Sequence, residues 1–202
     1  MQPSFDSYSS FERRFLAPGR RLSLAIMRPL VLILARLGVA PNAVSLSQIA
    51  IGVAIFFLIT PYPRLAFILM ALSLVVDGLD GALARHTGRA TPFGALVDQY
   101  ADHVREILVV AGLAYAGALN GAWAALYALA YPGLNLTLLL CNSYRVPVPV
   151  AIKTYLIFYP ALFLYLWLGI NYLDPAVALI VTLMAAVIVQ GVWRLGKVLG
   201  VQ

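Results

Sequence analysis

Four aspartates stand out in a chain that otherwise avoids charge. Asp77 and Asp80 are three residues apart, and Asp98 and Asp102 are four apart. On a helix these spacings stack both members of a pair on one face, one turn deep. Two such helices facing each other present a pocket of four carboxylates. Like charges gathered in a low dielectric repel strongly, a cost tolerated where cations are bound. Oxygen-only ligands without a nearby Cys point to magnesium, manganese or calcium rather than zinc.

Composition sets the elements that must carry these residues. The 202 residues are 62% hydrophobic and 11% charged, against roughly 25% charged in soluble domains. Such a chain belongs in a bilayer. Its formal charge of +6 would suit nucleic acid, but the basic residues are spread along helix ends, so no nucleic-acid partner is expected. Cys141 is the single cysteine and lies in an apolar run, which excludes an intrachain disulfide and reads as a buried filler thiol. The first residues lack the apolar core and small-residue cleavage site of a secretory signal.

Residues 1–40 form one unit in this reading and 41–202 another. In the first, Arg13, Arg14, Arg20 and Arg21 alternate with Phe5, Tyr8, Phe11 and Phe15 at helical spacing, as in a basic amphipathic segment on a membrane surface. The apolar run 22–39 is interrupted by Arg28, Pro29 and Arg36. It is expected to lie in the interface, with a seventh span as the alternative. The second unit divides at Pro and Gly breaks into six spans, near 43–60, 64–86, 92–118, 121–142, 153–171 and 175–195, each close to the ~20 residues that cross the hydrocarbon core. The expected fold is therefore an all-α integral membrane protein, six transmembrane helices preceded by an interfacial helix. Of the 14 basic residues, only Arg64 falls on the far side and only Arg105 within a span. The positive-inside rule then places both termini and the acidic cluster at the cytoplasmic face of the cytoplasmic membrane.

Carboxylates in a membrane are a functional hypothesis by default. The plainer alternative is a pair of helix-end ion pairs, Asp80 with Arg85 and Asp102 with Arg105, with Glu106 solvated nearby. A cation transporter built on broken helices is the competing class, but the other spans supply almost no charged residue to line a path across.

The full pattern reads Asp77-x-x-Asp80-Gly81-x-x-Ala84-Arg85, eight residues, then Gly94-x-x-x-Asp98-x-x-x-Asp102. It resembles, at every fixed position, the signature of the CDP-alcohol phosphotransferase family. That resemblance implies transfer of a substituted phosphate from a CDP-linked donor to an alcohol hydroxyl, with release of CMP. It implies CDP-diacylglycerol as the donor, with CDP-choline or CDP-ethanolamine transfer to diacylglycerol as the alternative, and membrane lipids as surroundings. It also implies two divalent cations, Mg²⁺ or Mn²⁺, held by Asp77, Asp80, Asp98 and Asp102, with Asp102 placed to act as general base. A homodimer is left open.

Under the same resemblance Gly81, Ala84, Arg85 and Gly94 serve the nucleotide and its phosphates. Arg85 offers planar donors suited to phosphate. Gly81 and Gly94 let either a nucleotide or the neighbouring helix come close. Pro41-Asn42-Ala-Val-Ser45 resembles the family's Pro-Asn-x-x-Thr/Ser segment, which brings Asn42 and Ser45 to the cytidine, unless Asn42 merely caps a helix. Arg145 and Lys153 weakly resemble the basic residues that meet an acceptor or lipid phosphate, and serve equally as topology anchors. His86 and His103 flank the motif without a ligand pattern. Arg89 and Thr91, in the intervening loop, carry no assignment.

Overall fold

The computed structural model describes residues 17–146, 148 and 154–200, with side chains from Met27 onward and from Tyr155 onward after the second gap. The aromatic and basic residues of the first sixteen positions, the Arg20 and Arg21 side chains and Lys153 lie outside that description.

Among the described residues the chain is all helical. The elements are α1 (Ala17–Arg36), α2 (Pro41–Leu58), α3 (Pro63–His86), α4 (Pro92–Tyr115), α5 (Gly121–Ser143), a 3₁₀ turn (Thr154–Leu156), α6 (Phe158–Leu168) and α7 (Leu173–Val198). Proline sets three of the starts. Pro41, Pro63 and Pro92 each open a helix, where the missing N–H is no loss and φ is already helical. Asn120 caps α5 by accepting from the Ala122 N–H at 2.9 Å.

Four helices, α2, α3, α5 and α7, are long and apolar enough to cross a membrane, which marks an integral membrane protein. The 24-residue α4 has the length, about 1.5 Å per residue, but carries Asp98, Asp102, Arg105 and Glu106. Two expected spans end early. The third stops at Tyr115 and not near 118, because Gly117 turns left-handed at φ 70°. The fifth shrinks to the 11 residues of α6. Pro160 cannot sit deep in a helix without a clash one turn back, so α-helix begins only at Phe158, and Gly169 ends it at φ 74°.

The main core runs through α2 to α7, with Ile55, Met70, Leu113, Tyr127, Leu162 and Ile180 fully or almost fully buried. Small residues let helices approach closely, as in other membrane bundles. A Cβ on Gly52 of α2 would sit 2.9 Å from the Arg105 Cα of α4, and one on Gly112 of α4 would sit 3.1 Å from the Phe56 Cα. One pair of helices is thus seated backbone against backbone at two levels. α1 packs on α3 through a separate cluster of Val31, Leu79, Ala82 and Leu83, joined by Val44 of α2.

Cations ride on aromatic rings at opposite ends of the bundle. Arg64, at the start of α3, lies 5.8 Å from the Trp167 ring, and Lys197, near the end of α7, lies 3.6 Å from Trp193. Both pairs have the character of interfacial anchors.

Candidate active site

The site forms where α3 ends and α4 begins, against the start of α2. Thr91 caps α4 by accepting from the Gly94 N–H at 3.0 Å, so the short turn between the two motif halves is tied down at its exit. All six residues assigned to nucleotide or phosphate, Asn42, Ser45, Gly81, Ala84, Arg85 and Gly94, line one pocket of about 180 Å³ with Asp80 and Asp98. Arg89 and Thr91 line it too. The sequence left both without an assignment, although their place between the motif halves put them within reach.

The two glycines make room for side chains of this pocket. A Cβ on Gly81 would meet Arg85 Nη1 at 3.2 Å, and one on Gly94 would meet Asn42 Oδ1 at 3.2 Å and Thr91 Oγ1 at 3.3 Å. The Arg85 guanidinium thus folds back over Gly81, one helical turn away. Asn42 lies inside α2 and is not its cap, since Ala40 holds that position.

The four aspartates divide into two kinds. Asp80 is 2% exposed, and its Oδ2 accepts from Ser45 Oγ at 2.6 Å. Asp98 interacts electrostatically with Asp80, Asp77 and Asp102, and its buried Oδ1 has no hydrogen-bond partner. These two line the pocket. Asp77 and Asp102 do not, and each is held by neutral or cationic donors. Asp77 Oδ1 accepts from Gln48 Nε2 at 3.2 Å. Asp102 Oδ1 pairs with Arg105 Nη2, while its Oδ2 accepts from the Tyr131 hydroxyl at 2.9 Å.

The stripe of Asp98 and Asp102 continues one turn deeper on α4, at Glu106. Glu106, left solvated only by the plainer ion-pair alternative, is 0% exposed. It accepts from Tyr127 at 2.8 Å and from Tyr159 at 3.1 Å. The reason is that α5 packs against this face of α4 and supplies Tyr127, while the Tyr159 side chain reaches the same carboxylate from α6. The pairing of Asp102 with Arg105 was anticipated; Gln48 and the three tyrosines were not. His103 lies edge-on to Tyr131 at 4.9 Å. Arg145 is exposed at the end of α5, with a left-handed φ of 57°, and does not line the pocket.

Do these residues fit divalent cations? The donor set is all oxygen, and an unpartnered, buried Asp98 Oδ1 is an acceptor waiting for a charge. In kind, the residues fit. Among the described residues, however, no three carboxylate, imidazole or thiol groups converge as a preassembled cage; Asp77 and Asp102 are turned to their own donors.

The family model for CDP-alcohol phosphatidyltransferase matches residues 38–193. The chain belongs to the CDP-alcohol phosphatidyltransferase family. The match takes in α2 to α6 and most of α7, and with them every residue of the pocket. An archaetidylinositol phosphate synthase of Aeropyrum pernix is 38% identical over 85 residues, 42% of this chain and 44% of that protein. A phosphatidylinositol phosphate synthase of Mycolicibacterium smegmatis is 30% identical over 124 residues, 60% of this chain and 52% of that protein. The chain thus spans about half the length of the curated relatives it matches. Among solved structures, the crystal structure of Mycobacterium tuberculosis phosphatidylinositol phosphate synthase with CDP-DAG bound superposes with a TM-score of 0.71. It covers 87% of this chain and 94% of the other at 18% identity, a likeness of fold.

Proposed function

We propose that the protein transfers a phosphatidyl group from CDP-diacylglycerol to the hydroxyl of a phosphorylated polyol, releasing CMP, in phospholipid synthesis. The observation that carries this is one pocket in which the Asn42 and Ser45 segment, Arg85 and two motif aspartates meet, one of them, Asp98, with an unpartnered oxygen. The relatives named above, all synthases of inositol phosphate lipids, support the donor and the class of acceptor.

In this reading α2 to α7 make six spans, α1 lies at the interface, and the pocket faces the cytoplasm, with the Arg64–Trp167 anchor on the far side. Residues 1–40 form the interfacial unit and 41–202 the catalytic one. Arg85 binds a phosphate of the pyrophosphate, and Asn42, facing Gly94, contacts the cytidine. Ser45 serves differently: its hydroxyl is spent on Asp80, so it orients a carboxylate. Asp77, Asp80, Asp98 and Asp102 hold two divalent cations, Mg²⁺ or Mn²⁺. When bound, such a pair neutralises pyrophosphate charge and stabilises the departing CMP. The acceptor oxygen bonds to the lipid-side phosphorus, the bond from that phosphorus to the bridging oxygen breaks, and CMP leaves with the electron pair. The hydroxyl proton passes to Asp102, whose carboxylate keeps lone pairs beyond those engaged by Arg105 and Tyr131. Arg145 and Lys153 meet the acceptor phosphate from the cytoplasmic end of α5 and the segment after it.

The test is a panel of acceptors, inositol phosphate, glycerol phosphate and serine, offered with labelled CDP-diacylglycerol to purified protein. A new phospholipid from a phosphorylated polyol, with CMP in equal amount, is expected. Transfer to serine alone would overturn the acceptor class, and CMP release from CDP-choline with diacylglycerol would overturn the donor.

A further inference from the structure

Among the described residues Arg105 heads the fully buried side chains by size, at 1% exposure. A cation in the interior of a membrane bundle is expensive and must be held by what it serves. Its two terminal nitrogens serve different partners: Nη2 donates to Asp102, and Nη1 donates to Oε1 of Gln48. With its oxygen committed to Arg105, the Gln48 amide turns its Nε2 to Asp77, 3.2 Å away. One guanidinium on α4 therefore reaches the last aspartate of the motif directly and the first through a single amide.

Two further features fix that guanidinium. Gln48 and Gly52 lie four apart on one face of α2, and Gly52 brings this face against the Arg105 backbone, where a Cβ would come within 2.9 Å of Cα. Behind it stands Glu106, 3.9 Å from Nη2 and anchored by hydroxyls from α5 and α6. Neutralising one carboxylate would need one contact and would suit a lysine; a planar fork split between two partners is a geometric device.

We infer that Arg105 is a positioning residue which, through Gln48, orients Asp77 on α3 and Asp102 on α4 together. The inference rests on the transfer reading above, and it treats the two outer carboxylates as one mechanical unit.

The experiment compares Arg105→Lys, Gln48→Leu and the double variant with wild type in lipid nanodiscs. Thermal unfolding reports the fold, Mn²⁺ titration followed by electron paramagnetic resonance reports cation binding without turnover, and CMP release gives kcat and KM. Each single variant should lower kcat per folded molecule and weaken Mn²⁺ binding roughly 10–100-fold, the range for residues that orient metal ligands. KM for CDP-diacylglycerol should stay within about threefold, and the double variant should be no worse than the worse single one. If Arg105→Lys does not fold, Gln48→Asn, which keeps an amide one methylene shorter, is read the same way. Wild-type kcat and Mn²⁺ affinity in the variants, with only the melting temperature lowered, would overturn the positioning role, as would strictly additive losses. Wild-type protein that releases no CMP would overturn the transfer reading instead, with the Mn²⁺ titration still deciding the role of Arg105.

Discussion

Ser45 Oγ donates to Asp80 Oδ2 at 2.6 Å, tying the first turns of α2 to the buried aspartate of α3. A distance that short belongs to hydroxyl–carboxylate bonds in which the acceptor bears charge. Ser45→Ala leaves a carboxylate that is 2% exposed short of a donor, at a cost of about 1–3 kcal/mol. Chemical unfolding of Ser45→Ala and Ser45→Thr checks this. Threonine should hold the wild-type midpoint and alanine should lose it; equal midpoints for all three would refute the assignment.

The same added methyl group should act oppositely at two glycines. At Gly81 it meets the mobile tip of Arg85 at 3.2 Å, and at Gly52 it meets the α4 backbone at 2.9 Å. Gly81→Ala should fold as wild type and raise KM for the CDP substrate, because Arg85 is pushed from its place over the pocket. Gly52→Ala should destabilise the fold by about 1–3 kcal/mol through overpacking. Parallel unfolding and KM measurements decide it, and a destabilised Gly81→Ala with unchanged KM would reverse the roles.

Asp102 is held by a guanidinium and a phenol, its two oxygens accepting from Arg105 and Tyr131. Asp102→Asn should retain binding of the CDP substrate, measured by calorimetry, while turnover falls roughly 10²–10⁴-fold, the range for loss of a general base. Asp77→Asn and Asp98→Asn should lose cation affinity as well. Binding abolished in Asp102→Asn as thoroughly as in Asp77→Asn would make Asp102 an obligatory ligand and not the base.

How far the sequence reached follows from the range of each interaction. Asp77 and Asp80, like Asp98 and Asp102, share a helix, so three- and four-residue spacings disclosed each pair at once. Pro41 and Pro63 marked helix starts because proline acts on its own turn. Gln48 was illegible because its partner Arg105 is 57 residues away, and helical periodicity does not say which way a face turns. Tyr159 lies 53 residues from Glu106 in a stretch that reads as plain apolar span. The fifth helix came out short because the apolar run around Pro160 and Gly169 was weighed as a whole, while those two residues act locally.

The six-span arrangement has its own check. A single cysteine placed at Asn120, in the turn between α4 and α5, should react with an impermeant reagent only from outside the cell, and one at Gly88, between α3 and α4, only from inside. Labelling of Asn120→Cys from the cytoplasm would invert the site.

The central claim is metal-assisted transfer from a CDP-lipid in the pocket between α3 and α4. Its most direct test follows CMP released by purified protein in nanodiscs holding CDP-diacylglycerol, with a phosphorylated polyol, before chelation, after chelation and after Mg²⁺ is restored. CMP should form only when donor, acceptor and cation are all present, stop on chelation and resume with Mg²⁺, and Asp98→Asn should not resume. CMP release that continues at the same rate under chelator, or that Asp98→Asn leaves intact, would contradict the account.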